Sequence, residues 1–188
     1  VSNSAEVEQK AEQQNKNCDS SLCSNSIKIQ AQEALIDNTI GGGSGDHYDD
    51  VSNSAEVEQK AEQNNKDCES STCINEIDIQ AQTALIENTI GKGGSNEYDE
   101  VSNSAEVEQV AEQENKNCDG SDCENSIGFQ SQVAVISNAI GGGSGGSQYE
   151  DVSNSAEVEQ KADQDNKDCD GSDCINAIGA QAQTAVIS

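Results

Sequence analysis

The chain of 188 residues carries 36 acidic side chains against 9 basic ones, a net charge of −27, with 2% aromatic residues and no Pro, Met or Trp. That charge excludes nucleic acid and an anionic membrane surface as partners, since both need a basic face, and it favours cations. The hydrophobic fraction of 32% is low for a globular core, and no stretch approaches the roughly 20 apolar residues of a membrane span. Composition alone would allow disorder, but repeats and cysteines argue against it.

The stretch VSNSAEVEQ recurs unchanged at Val1, Val51, Val101 and Val152. It divides the chain into repeats 1–50, 51–100, 101–151 and a shorter 152–188, which together read as one solenoid domain. Each repeat opens on a segment such as VSNSAEVEQKAEQQNKN and runs into a cysteine turn, CDSSLCSN in the first. A second segment follows, SIKIQAQEALIDNTI. A glycine turn then ends in a tyrosine (Tyr48, Tyr98, Tyr149) and two acids.

Intrinsic propensity favours helix for AEVEQKAEQQ. Asn3 with Glu6 resembles a capping box, and Gly41 stands where a helix C-cap would. Helical hairpins are therefore the alternative fold. Comparing the repeats points the other way. Gln30, Gln32, Ala34, Ile36, Asn38 and Ile40 are identical in the three complete repeats, whereas residues 31, 33 and 35 drift. Gln9, Ala11, Gln13 and Asn15 are identical in all four, whereas residues 10, 12 and 14 drift. Invariance at every second residue is the mark of a strand, whose side chains alternate between faces. The expected fold is thus all-β, a stacked parallel β-solenoid of β-arches with two strands per rung. Its inner face would carry Asn3, Gln9, Gln13 and Asn15 opposite Gln30, Gln32 and Asn38. Stacked in register, each amide meets its own copy about 4.8 Å away and bonds to it as a cross-β-like ladder. A face that touches its own copies must stay identical, whereas a face that touches water need not.

The pattern N-x-A-x-V-x-Q-x-A-x-Q-x-N from Asn3 to Asn15, with Q-x-Q-x-A-x-I-x-N from Gln30 to Asn38, resembles the repeats of curli, the secreted amyloid-like fibre subunits of bacteria. The repeats here are longer, and the cysteine turn has no counterpart there. The resemblance implies a secreted functional-amyloid subunit of an extracellular matrix such as a biofilm.

The cysteines are spaced C-x4-C throughout: Cys18/Cys23, Cys68/Cys73, Cys118/Cys123 and Cys169/Cys174. Even numbers at fixed spacing read as disulfides and an oxidising, extracytoplasmic setting. Bridges within each repeat are preferred. Bridges between rungs remain open, because a spacing near 4.8 Å lies in the usual Cα range of about 4.4–6.8 Å. Zinc is the competing use, with two stacked pairs supplying four thiolates.

Glu6, Glu8 and Glu12 fall on the face opposite the amides and recur in every repeat, Asp163 replacing the last in the fourth. Stacking aligns them in columns that repel unless screened. Calcium is the candidate cation, with these three and the turn residues Asp119, Asp122, Asp168, Asp170 and Asp173 as candidate ligands, since calcium takes six to eight oxygens. No catalytic grouping or phosphate loop stands out, His47 is the lone histidine, and no activity is expected. No cofactor is required.

The expected role is a structural subunit of an extracellular filament. The chain opens on its first strand at Val1 and stops inside its last at Ser188. End rungs of that kind are expected to add further copies head to tail. A soluble acidic module that binds calcium or a protein partner is the alternative.

Overall fold

The computed structural model of the protein describes residues 1–40, 47–90, 97–140 and 148–188. They form eight strands: β1 Ser2–Asn15, β2 Leu22–Ile40, β3 His47–Asn65, β4 Thr72–Ile90, β5 Glu97–Asn115, β6 Asp122–Ile140, β7 Gln148–Asn166 and β8 Asp173–Ile187. Odd strands make one sheet in the order β1-β3-β5-β7, even strands a second in the order β2-β4-β6-β8. Both sheets are parallel throughout, and each strand stacks on its own copy in the next repeat: Gln9 on Gln59, Gln30 on Gln80. The two strands of one repeat thus belong to different sheets and face each other as a β-arch, and the chain is a β-solenoid with one arch per rung. The glycine turns lie outside the described residues.

No helix occurs among the described residues, so helical hairpins are overturned despite the favourable propensity. A helix would put Gln9 and Gln13 on one face and Ala11 and Asn15 on nearly the opposite one. Only a strand presents all four to the same partner, and burial of that face outweighs a local preference.

The inner space is filled by three apolar columns that alternate with amide columns. Ala55, Val57, Ala84 and Ile86 pack with their copies in one. Ala61 and Ala111 meet Ile27, Ile77 and Ile127 in the second. The cysteines form the third, at the turn end. Side chains in the two central rungs are sealed above and below: Ile77, Ile86, Gln59 and Gln109 are all 0% exposed.

Two boundaries differ from the sequence expectation. The residues Tyr48, Tyr98 and Tyr149, read above as the end of a turn, already belong to strands β3, β5 and β7, where Tyr98 stacks in register with the other two. The second strand likewise starts at Leu22, inside the stretch read as the cysteine turn. It also changes phase. Asn25, Ile27 and Gln30 are buried while Lys28 and Ile29 are both exposed, and residue 28 has no partner in the Cα register. Two successive outward residues are the signature of a bulge. Rungs three and four place Gly128 and Gly179 there, and a Cβ on Gly128 would lie 2.6 Å from the Asp78 carbonyl oxygen.

The cysteine turn needs two left-handed residues. The first is Asn17, Asp67, Asn117 or Asp168, and the second is Ser20, Ser70, Gly120 or Gly171. Asn, Asp and Gly tolerate that conformation best. Gly120 and Gly171 in the CDGSDC loops therefore serve the backbone.

Candidate functional site

The amides expected to face inward do so, and their hydrogen bonds give the stack a direction. Gln59 donates from Nε2 to Gln9 Oε1 at 3.1 Å, Gln109 to Gln59 at 2.9 Å and Gln160 to Gln109 at 2.8 Å. The Gln30 column behaves identically: Gln80 donates to Gln30 at 2.8 Å and Gln181 to Gln130 at 2.8 Å. In the Gln13 column, Gln63 donates both to Gln13 Oε1 (2.9 Å) and across the arch to the Glu76 carbonyl (3.0 Å). The ladder contacts at Gln32 are longer, 3.3 Å from Gln82, because these amides also clamp the two sheets: Gln82 donates to the Glu108 carbonyl at 3.0 Å. Turned over, the Gln32 amide instead donates to the Glu58 carbonyl (3.1 Å) and accepts from the Gln9 N–H (2.9 Å), at the expense of the bond from Gln82.

The asparagines run the opposite way and zigzag between sheets. Asn3 donates to Asn38 at 2.7 Å, Asn38 to Asn53 at 2.6 Å and Asn53 to Asn88 at 3.1 Å. A second zigzag joins Asn15 to Asn25 at 2.9 Å, Asn25 to Asn65 at 3.0 Å and Asn65 to Asn75 at 3.0 Å. The Asn25 column is half of this chain and was absent from the sequence expectation. Its signal was available, since Asn25, Asn75, Asn125 and Asn176 are identical in all four repeats.

The two ends of the stack are consequently unlike. Glutamine N–H groups point toward rung one and asparagine N–H groups toward rung four. At rung one the Gln30 side chain is 3% exposed and its Nε2 has no hydrogen-bond partner. At rung four, Gln181 presents the same side chain with its nitrogen already engaged on Gln130. A buried amide left without a partner costs about 1–3 kcal/mol.

All eight cysteines are bridged within their own rungs, with Cα–Cα separations of 5.8, 6.2, 6.2 and 6.4 Å from Cys18–Cys23 to Cys169–Cys174. The bridges stack, so that sulfurs of Cys18, Cys68 and Cys73 lie within 4.8 Å of one another. In this oxidised state they are not the thiolates a zinc site requires. Disulfides of this kind persist in oxidising surroundings.

The acids expected on the outer face of the first sheet stand there in register: Glu6 with Glu56, Glu8 with Glu58, Glu12 with Glu62. Burial pushes the Glu108 carboxyl above its ordinary range, and the like charges of Glu58 and Glu159 on either side push in the same direction. The Glu12 column is interleaved with lysines, Lys60 reaching Glu112 at 3.3 Å and Lys161 reaching Asp163 at 2.7 Å. At Glu114, burial acts upward but is outweighed by Lys116 (2.7 Å) and Lys167 (2.5 Å), which hold the carboxyl below its ordinary range. Asp119, Asp122, Asp168, Asp170 and Asp173 are all exposed. Among the described residues, the only groups of three potential metal-ligand atoms within 4.8 Å of one another are cysteine sulfurs. No helix of the described residues is long and apolar enough to cross a membrane.

No protein-family model, curated protein or solved structure matches the chain. The fold and its directional ladders define the class by themselves: a disulfide-clamped parallel β-solenoid of two facing sheets.

Proposed function

We propose that the protein is a structural subunit of an extracellular filament that grows by head-to-tail stacking of copies of this chain. The observation that carries this reading is the direction of the ladders: Gln59, Gln109 and Gln160 each donate to the copy one rung back, and Gln181 does so to Gln130, so a further copy stacked head to tail repeats the same bonds. Head-to-tail addition continues every ladder in its own sense. Head-to-head contact would set glutamine donors against donors. A heterologous contact of this kind does not close on itself and yields an open filament. The disulfides support an extracellular setting, and the amide ladders support kinship in style with curli-like functional amyloid. The acid columns oppose growth, so protons, salt or calcium acting as counterions lengthen the filaments. The arrangement supports a scaffold rather than an enzyme.

The test is electron microscopy and light scattering of the oxidised chain, with Gln30→Lys and the exposed-site control Gln14→Lys. Growth of the wild type and the control, with Gln30→Lys remaining a β-rich monomer by circular dichroism, is the expected result. A wild-type chain that stays monomeric at high concentration in calcium, with its disulfides intact, overturns it.

A further inference from the structure

The outer faces of the two sheets differ in kind. The first sheet carries the acid columns. The second presents Ile29, Leu35, Ile79 and Phe129 to solvent, at 67%, 54%, 39% and 41% exposure. The register turns these into stripes along the stack, Ile29 over Ile79 over Phe129, and Leu35 over Leu85 over Val135. Charge also fades along this face. Rung one holds Lys28, Glu33 and Asp37 and rung two Glu76, Asp78 and Glu87, yet residues 125–140 and 175–188 contain no charged residue in a chain of net charge −27. A Pro-free β face with apolar side chains aligned in register, and without charge in rungs three and four, is a surface on which sheets of like kind interdigitate.

We infer that this face is a lateral contact between two filaments of this same protein, packed second sheet against second sheet. The inference rests on the filament reading above. Three observations select a second copy as the occupant. The stripes repeat at the rung spacing, about 4.8 Å, which only a surface of the same period matches along its length. Charge decides which face pairs. With second sheets in contact, the acid columns of the two filaments lie on opposite outer surfaces, three sheet-to-sheet gaps or about 30 Å apart, beyond the screening length of about 8 Å at physiological salt. Pairing through the first sheet would set those columns against each other. Area decides when pairing occurs. The outward stretch from Ile29 to Asp37 over four rungs covers on the order of 600 Å² per copy, from about 3.3 Å per residue and 4.8 Å per rung. That falls short of the roughly 800 Å² per partner of a stable interface. One copy therefore pairs poorly, whereas a filament multiplies the contact by its number of subunits. Bundling follows polymerisation.

Mass per length measured by scanning transmission electron microscopy reads this directly. One 19.7 kDa chain per four rungs of about 4.8 Å gives roughly 10 kDa/nm for a single filament and twice that for a pair. The expected result is the doubled value for the wild type and the single value for Phe129→Lys with Val135→Lys. These changes lower the net negative charge, so a pair held merely by reduced repulsion would be strengthened by them. Glu106→Lys on the opposite sheet keeps the doubled value. Wild-type filaments at the single value overturn the lateral contact and leave the filament reading standing. Pairs that survive the double substitution overturn it as well. Single wild-type filaments that co-sediment with neutral phosphatidylcholine vesicles, and are released by the double substitution, assign the face to lipid and refute self-pairing. Absence of filaments altogether overturns the filament reading and this inference with it.

Discussion

Replacing Gln59 by leucine isolates the ladder from every other contribution. The side chain is 0% exposed, and its amide bonds run only to its own column, to Gln9 and from Gln109. Leucine is of similar size, so little cavity is left. The change strands Gln109 Nε2, on a side chain that is also 0% exposed. Gln9, being exposed in the end rung, turns its oxygen to water. One orphaned buried donor costs about 1–3 kcal/mol, a shift of the urea midpoint of about 1 M at a slope near 2 kcal/mol/M. Leucine at all four positions of the column, Gln9, Gln59, Gln109 and Gln160, strands nothing, because both partners of every bond are gone. That variant is expected to be nearly as stable as the wild type or more so. Unfolding of monomeric protein, followed by circular dichroism and by hydrogen exchange, gives both values. The reasoning is refuted if the fourfold variant loses the sum of the single losses, or if Gln59→Leu loses less than about 0.5 kcal/mol, the ordinary range for surface changes.

Two further outcomes test the clamps and the charges. Replacing Cys118 and Cys123 together by alanine releases a closed loop with four intervening residues, worth about 2 kcal/mol of unfolded-state entropy; mass mapping of the unreduced wild type should return only pairs within a rung. Because the folded state raises the Glu108 carboxyl, that group's contribution to stability is present at low pH and is lost as pH rises through the raised value. Glu108→Gln is therefore expected to raise stability at neutral pH and to flatten the dependence on the acid side. The carboxyls of Glu114 and Glu12, held low, act in the opposite sense and lose their contribution as pH falls. A Glu108→Gln variant with the wild-type pH profile counts against the column argument.

Strand, stacking and the identity of most ladder residues were legible in the sequence because a repeat that packs on its own copy must hold its inner face constant. The drift of residues 31, 33 and 35 beside the constancy of Gln30, Gln32 and Ala34 is that constraint written at period two. The Asn25 column escaped because the bulge at Lys28 and Ile29 reverses the phase, and a single alternating register fitted from Gln30 onward places Asn25 on the wrong side. Tertiary structure also decided how the cysteines pair. Spacing alone admitted bridges within and between rungs at comparable Cα separations, and the two left-handed residues of the turn bring Cys18 to Cys23. The direction of the ladders was likewise undetermined by residue identity, since an amide donates equally well up or down. In the Gln13 and asparagine columns it is set by packing across the arch: Gln63 donates to the Glu76 carbonyl and Asn15 to Asn25, and each such bond orients the amide that the next rung must match.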